Sequence, residues 1–270
     1  MEIKLYDVAS ATAKLSEPPT STFGIDTNLD NIFKMAKGYF GILQAPPCQG
    51  KTTFLNYYGV KLSKLHDWHV LYIMMETPDR LELKLLSKYF GGNVEEMLKN
   101  NHLLNMELNN FDEVMEAITQ VAAKYDNLLV IVDNATCIEA LMGTDVTDLI
   151  RKQYLLRLSS LTKKLGISII LCAHSIRLKE GQRPSINTSY GGTFMESTCD
   201  FMLSIEITDK ENNISTFRLL KRRYEFFGGN NGGDEISLQF DRNTREFINV
   251  DNDDNDDNDE VLDEIFGKIK

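Results

Sequence analysis

Ala45-Pro46-Pro47-Cys48-Gln49-Gly50-Lys51-Thr52-Thr53 is the stretch on which the reading of this chain turns. The apolar run Tyr39-Phe40-Gly41-Ile42-Leu43 before it predicts a buried strand, and Thr52 to Leu65 after it predicts a helix. A glycine-bearing loop between strand and helix, closing on Gly-Lys-Thr, is the arrangement that cradles phosphates. Its backbone N–H groups and the helix N-terminus point at the anion, where the helix dipole favours negative charge. On this reading residues 45 to 53 hold the phosphates of ATP, Lys51 reaches the β- and γ-phosphates, and the Thr52 hydroxyl ligates Mg²⁺. Ala45 stands where the general pattern has its first Gly, so an ordinary strand–helix turn remains an alternative at this point.

Three further signals follow in the order such a site needs. The strand-like run His69 to Met75 ends on Glu76, ahead of Thr77-Pro78. Parallel strands carry functional groups at their carboxyl ends, so Glu76 is a candidate to polarise an attacking water; the plainer reading is an acid that starts a helix. Leu128-Leu129-Val130-Ile131-Val132-Asp133 is a β-branched run ending in an acid, the pattern in which Asp133 holds Mg²⁺. Ile167 to Ala173 ends on His174, a candidate sensor of the γ-phosphate, although a lone His is often only structural.

Together Ala45–Thr52, Met75-Glu76-Thr77-Pro78, Val132-Asp133 and Cys172-Ala173-His174 resemble the motor domain of DnaB-type, superfamily-4 replicative helicases. The likeness is greatest to the helicase half of phage primase–helicases and of mitochondrial Twinkle, whose loops often carry Ala at the first position. It runs over roughly residues 22 to 250 and continues into Phe217-Arg218-Leu219-Leu220-Lys221-Arg222-Arg223. The resemblance implies an ATP hydrolase and DNA helicase that forms a ring, most often hexameric, and moves 5′ to 3′ on single-stranded DNA. It implies that Arg223 is an arginine finger for the neighbouring subunit's site, with Lys221 its companion. A guanidinium suits that task, although a solvated basic strand end would look the same. It also implies that the loop after His174 lines the DNA channel, with Arg177, Lys179 and Arg183 gripping phosphates once per subunit. Tyr190 and Glu196 stand where the family is usually basic, and Glu196 would repel DNA.

The strand–helix alternation predicts an α/β fold: a RecA-like P-loop NTPase core with a mostly parallel sheet between helices. Short strands near 200–207, 214–222, 235–240 and 245–249 predict a C-terminal antiparallel extension. The domain reading is a leader over 1–21, a motor over 22–250 and an acidic tail over 251–270. With 42% hydrophobic and 26% charged residues, the chain has the composition of a soluble globular protein. It shows neither a signal peptide nor a membrane span, and the expected location is cytoplasmic, the host cytoplasm if the protein is viral. Cys48, Cys137, Cys172 and Cys199 form no C-x-x-C pair, so neither zinc nor a disulfide framework is expected, and neither is a primase domain.

The net charge of −11 is uneven: residues 251–270 hold nine acids and two lysines, which leaves only −4 on the rest. Seven acids in the ten residues from Asp251 cannot build a core, and the apolar residues from Val261 to Ile269 share one helical face. Such a tail docks a replication partner, a DNA polymerase or primase by resemblance, folds back to mimic DNA in the Arg177–Arg183 channel, or only solubilises the chain. Two other functions stay open on sequence alone: a RecA-type recombinase or strand-annealing ATPase that forms filaments, and a non-translocating ATP-dependent replication adaptor.

Overall fold

The computed structural model describes residues 5–143, 146–176, 182–188, 192–229 and 234–250; Arg177, Lys179, Tyr190 and the tail at 251–270 lie outside them. In chain order the elements are α1 (Val8–Leu15), β1 (Thr22–Phe23), β2 (Met35–Ala36), β3 (Phe40–Ala45), α2 (Lys51–His66), β4 (His69–Met74), α3 (Asp79–Lys88), α4 (Val94–Asn100) and β5 (Asn101–Leu103). They continue as α5 (Phe111–Ala122), β6 (Leu128–Asp133), α6 (Ala135–Leu141), α7 (Asp148–Leu165), β7 (Ser168–His174), α8 (Gly192–Thr198), β8 (Phe201–Asp209), β9 (Ile214–Arg222), β10 (Glu235–Phe240) and β11 (Phe247–Asn249).

Nine strands form one sheet in the order β11-β10-β9-β8-β3-β7-β6-β4-β5, and β1 and β2 pair as a separate small hairpin. From β8 to β5 the pairs are parallel; from β8 to β11 they are antiparallel. The RecA-like plan and its antiparallel extension are therefore both present. Period-two alternation explains how the sheet is covered. Leu43, Ala45, Val70, Tyr72, Leu129, Ile131 and Ile170 face one core with Phe54, Tyr57 and Tyr58 of α2 and Leu86 of α3. Their neighbours Ile42, Leu71, Ile73, Val130, Val132, Ile169 and Leu171 face the other, with residues of α5 to α8. Buried on both faces, these strands read in sequence as unbroken apolar runs.

Local chemistry sets the element ends. Asn110 and Thr147 cap α5 and α7 with side-chain oxygens, and Gly166 ends α7 in the left-handed region at φ 67°. Gly41 lets β8 pack against β3, since a Cβ there would lie 1.9 Å from the Phe201 ring. At the start of the same strand, Phe40 N donates to the buried Asp200 carboxylate at 3.0 Å. Within the expected leader, Val8–Leu15 forms a helix that leaves Leu5, Tyr6, Val8 and Leu15 exposed.

At the amino ends of β4 and β5, His69 Nδ1 and His102 Nε2 lie 3.2 Å apart, and the Tyr125 ring stacks on both imidazoles, 3.9 and 4.7 Å from their centres. One N–H···N bond suits two neutral rings. Burial lowers both pKa values, the His69 charge and Lys124 lower His102 further, and Asp67 opposes the shift at His69. The unfolded chain therefore takes up protons that the folded one resists, so this stabilisation is present above about pH 6.5 and lost as pH falls below it. Urea denaturation at pH 7.5 and 5.5 should show a larger loss for the wild type than for His69→Gln/His102→Gln. An equal loss in both proteins would remove the pair as its cause.

Candidate active site

The sheet register builds the site before any side chain is considered. Ala45 pairs with His174 between β3 and β7, and Met74 pairs with Asp133 between β4 and β6. The carboxyl ends of four central strands thus stand at one edge, with the loop 46–50, Glu76, Asp133 and His174 on it. The loop turns through left-handed backbone at Cys48, φ 62°, and at Gly50, φ 80°. A Cβ at Gly50 would meet nothing within 4 Å, so glycine is needed there for conformation and not for space. Gly50 then caps α2 without a side chain, leaving the first N–H groups of the helix pointing outward.

Lys51 is buried, with only 7% of its surface exposed. Its ammonium donates to Ala45 O at 3.0 Å and Pro46 O at 2.9 Å, and lies 3.3 Å from His174 Nδ1. The charge is satisfied by weak neutral acceptors that an anion can displace. The Thr52 hydroxyl donates to Asp133 Oδ2, setting two hard oxygen ligands side by side. His174 Nε2 is 3.7 Å from Glu76 Oε1 and 3.2 Å from Asn134 Nδ2. His174 therefore spans the distance between the lysine and the glutamate. These groups line one open cleft of about 460 Å³, with Pro47, Cys48, Gln49, Gly50 and Thr53 as its other walls. A larger hollow of about 620 Å³ lies beyond Glu76, under Met106, Leu108 and Leu141, and lacks the donor loop.

The residues fit a triphosphate with its magnesium. Among the described residues no three His, Cys, Asp or Glu side chains converge as a metal cage. Thr52 and Asp133 alone leave most of an octahedral shell to phosphate oxygens and water, which is how Mg²⁺ is usually held beside a nucleotide. Glu76 is not the cap of α3, since Pro78 occupies that position.

Lys221 and Arg223 are not brought to this cleft. They lie at the opposite edge of the sheet, by the start of β3, where Arg223 Nη1 holds Asp200 Oδ1 at 3.1 Å and Nη2 donates to Ser197 O at 3.0 Å. Lys221 donates to Cys199 O at 2.9 Å and to Glu196 O. Both bind carbonyls at the end of α8. Arg183 is exposed and lies 3.7 Å from Glu235 Oε2, an ion pair weak enough to exchange for another anion.

Two features went unread in the sequence. Asn134 is fully buried; its Oδ1 accepts from Cys137 N to cap α6 while its Nδ2 faces His174. Its signal was an Asn directly after the strand-ending acid. The second is an apolar pocket of about 170 Å³ beside the loop, lined by Gly50, Thr53, Ile207, Lys210, Asn213, Ser215, Phe240 and Phe247. Gln49 Oε1 accepts from Ile207 N at 2.7 Å and ties the loop to that wall. The pocket is made by strands distant in sequence, so no local pattern marks it.

No protein-family model and no curated protein matches the chain in sequence. Solved structures match its fold. One, described as an ATPase domain, aligns over 80% of this chain and 86% of its own, with TM-score 0.67 and 17% identity. The structure of a DnaB-like replicative helicase, described with its interactions with primase, aligns over 93% of this chain and 68% of its own, with TM-score 0.71 and 15% identity. The chain carries the fold of a DnaB-like helicase ATPase domain.

Proposed function

We propose that this chain is the motor of a replicative DNA helicase, hydrolysing ATP with Mg²⁺ to translocate on single-stranded DNA as a ring. The observation that carries the reading is the meeting of Lys51, Thr52, Glu76, Asp133 and His174 around one phosphate-sized cleft at the end of a RecA-like sheet. When ATP enters, Lys51 exchanges the carbonyls of Ala45 and Pro46 for phosphate oxygens, and the loop N–H groups take the rest of the negative charge. Bound Mg²⁺ would be held by Thr52 and Asp133 and would neutralise charge on the phosphates. Glu76 orients and polarises the attacking water. His174, between Lys51 and Glu76, senses the loss of the terminal phosphate and passes it to the loop that follows. The apolar pocket with Phe240 and Phe247 is placed to take the nucleobase.

A neighbouring copy would supply Arg223, with Lys221 beside it, and Arg177, Lys179 and Arg183 would face the strand in the channel. A ring that repeats three cations per subunit makes a positive channel in an acidic protein. The movement expected is 5′ to 3′, in the cytoplasm, with a DNA polymerase or primase engaged through the tail at 251–270. The DnaB-like structure is described with its interactions with primase, which supports the class of partner.

Lys51→Ala should lower ATP turnover at least 100-fold, about 3 kcal/mol of barrier, with the circular dichroism spectrum kept. Glu76→Gln should bind ATP as the wild type does but hydrolyse it at least about 100-fold more slowly. Wild-type turnover in Lys51→Ala would sink the site assignment, and single-stranded DNA that leaves the wild-type ATPase rate unchanged would sink translocation.

The composite site needs a gentler probe than alanine. Removing Arg223 entirely would strand the buried Asp200 carboxylate, at a cost of about 3–5 kcal/mol. Arg223→Lys keeps the charge and loses the fork. Its subunits should bind ATP yet turn it over poorly, and mixing them with Lys51→Ala subunits should restore part of the activity. Inactivity at every ratio, with mixed assemblies verified by mass spectrometry, would show that Arg223 does not act across an interface.

A further inference from the structure

α3 has an inward stripe of two residues, Glu82 and Leu86, and of these the glutamate is fully buried. Leu81 and Leu83 beside it point outward, 48% and 38% exposed. A carboxyl group thus occupies the position that packing alone would give to an apolar side chain. Its partner is Asn56 of α2, one helical turn beyond Thr52 and itself fully buried. Asn56 Nδ2 donates to Glu82 Oε1 at 2.5 Å. The two atoms left over by that bond, Asn56 Oδ1 and Glu82 Oε2, are both buried without a partner among the described residues.

An ionised Glu82 leaves these as two acceptors, each carrying the full penalty of a buried polar atom. A proton on Oε2 would make it the donor that Asn56 Oδ1 lacks, giving the second hydrogen bond of a ring between acid and amide. We propose that Glu82 is held as the neutral acid in a two-point pair with Asn56, and that this pair positions the helix after the phosphate loop against the helix after Glu76. Asn56 shares α2 with Thr52, and α3 starts directly behind Glu76-Thr77-Pro78, so the pair fixes the Mg²⁺-side hydroxyl relative to the water-polarising carboxylate. Glu82 touches neither substrate nor metal; it acts through the two helices. That role rests on the motor reading above, whereas the proton does not.

The surroundings agree. Burial pushes the Glu82 carboxyl above the usual carboxylate range, the Asn56 hydrogen bond opposes it, Asp133 on β6 adds to it, and Arg245 after β10 opposes it. Burial keeps the phenols of Tyr72 on β4 and Tyr89 after α3 neutral, and a charge on Glu82 would raise both further.

The test combines a spectrum with kinetics on the full chain. The infrared difference between wild type and Glu82→Gln at pH 7 should contain a protonated-carboxyl stretch that the variant lacks. Glu82→Gln can keep both hydrogen bonds and should retain kcat within about twofold. Asn56→Leu/Glu82→Leu removes both polar partners together, so it should fold with nearly wild-type stability. Its kcat for ATP should nevertheless fall about tenfold with KM little changed, because the two helices lose their register. No protonated-carboxyl band would overturn the pair, and unchanged kcat in the double variant would overturn the positioning role. A wild type without ATPase activity would remove the motor reading and the positioning role with it, while the spectrum would still decide the proton.

Discussion

The alignment of four parallel strand ends is the constraint on which the rest of this structure depends. Hydrogen bonds hold it on past the strands: Ser175 N donates to Ala45 O at 3.0 Å, and Met75 N donates to Asp133 O at 2.9 Å. A slip of one residue between β3 and β7 would turn every side chain of one strand to the wrong core and carry His174 away from Lys51. The two cores prevent it, because residues of odd and even register pack against different sets of helices. Asp200 pins the other end of β3 through Phe40 N. The hydrophobic pattern that folds the sheet therefore also aims the functional groups.

Within that frame, charge is kept where it can be released. Lys51 is nearly buried but bonded only to loop carbonyls and an imidazole. Asp133 is 2% exposed and bonded to a hydroxyl. Each has a weak partner that a stronger one, phosphate or metal, can replace without rebuilding the backbone. On the proposed reading this is preorganisation: desolvation and orientation are settled in folding and not during the reaction. Arg223 contrasts with this, since its partner Asp200 is a buried carboxylate and releasing it is costly.

Much of this was legible in the sequence because its signals are local. The unbroken run Leu128 to Val132 can only be a strand buried on both faces, and Gly50-Lys51-Thr52 after Phe40 to Leu43 needs a strand–loop–helix turn. The core elements lie where those runs predict them, and the antiparallel extension follows Asp200 as expected. The short elements escaped: α4 and β5 each bury little, with Met97 the buried residue of α4, so they carry no periodicity to read. Helix α6 was hidden by its shortness, although Asn134 announces its start. What could not be read at all depends on pairs distant in sequence: the Glu82–Asn56 contact, and the pocket that joins Gly50 to Phe240 and Phe247. Sequence reading predicts that a helix has an inward face; it does not say which residue will meet an acid there.

The most direct test of the account is a crystal structure of the protein with Mg²⁺ and a non-hydrolysable ATP analogue. The account predicts Lys51 Nζ withdrawn from Ala45 O and Pro46 O onto the β- and γ-phosphates, Mg²⁺ beside Thr52 and Asp133, and the base against Phe240 and Phe247. A nucleotide lodged instead in the hollow beyond Glu76, with Lys51 still on its loop carbonyls, would contradict it.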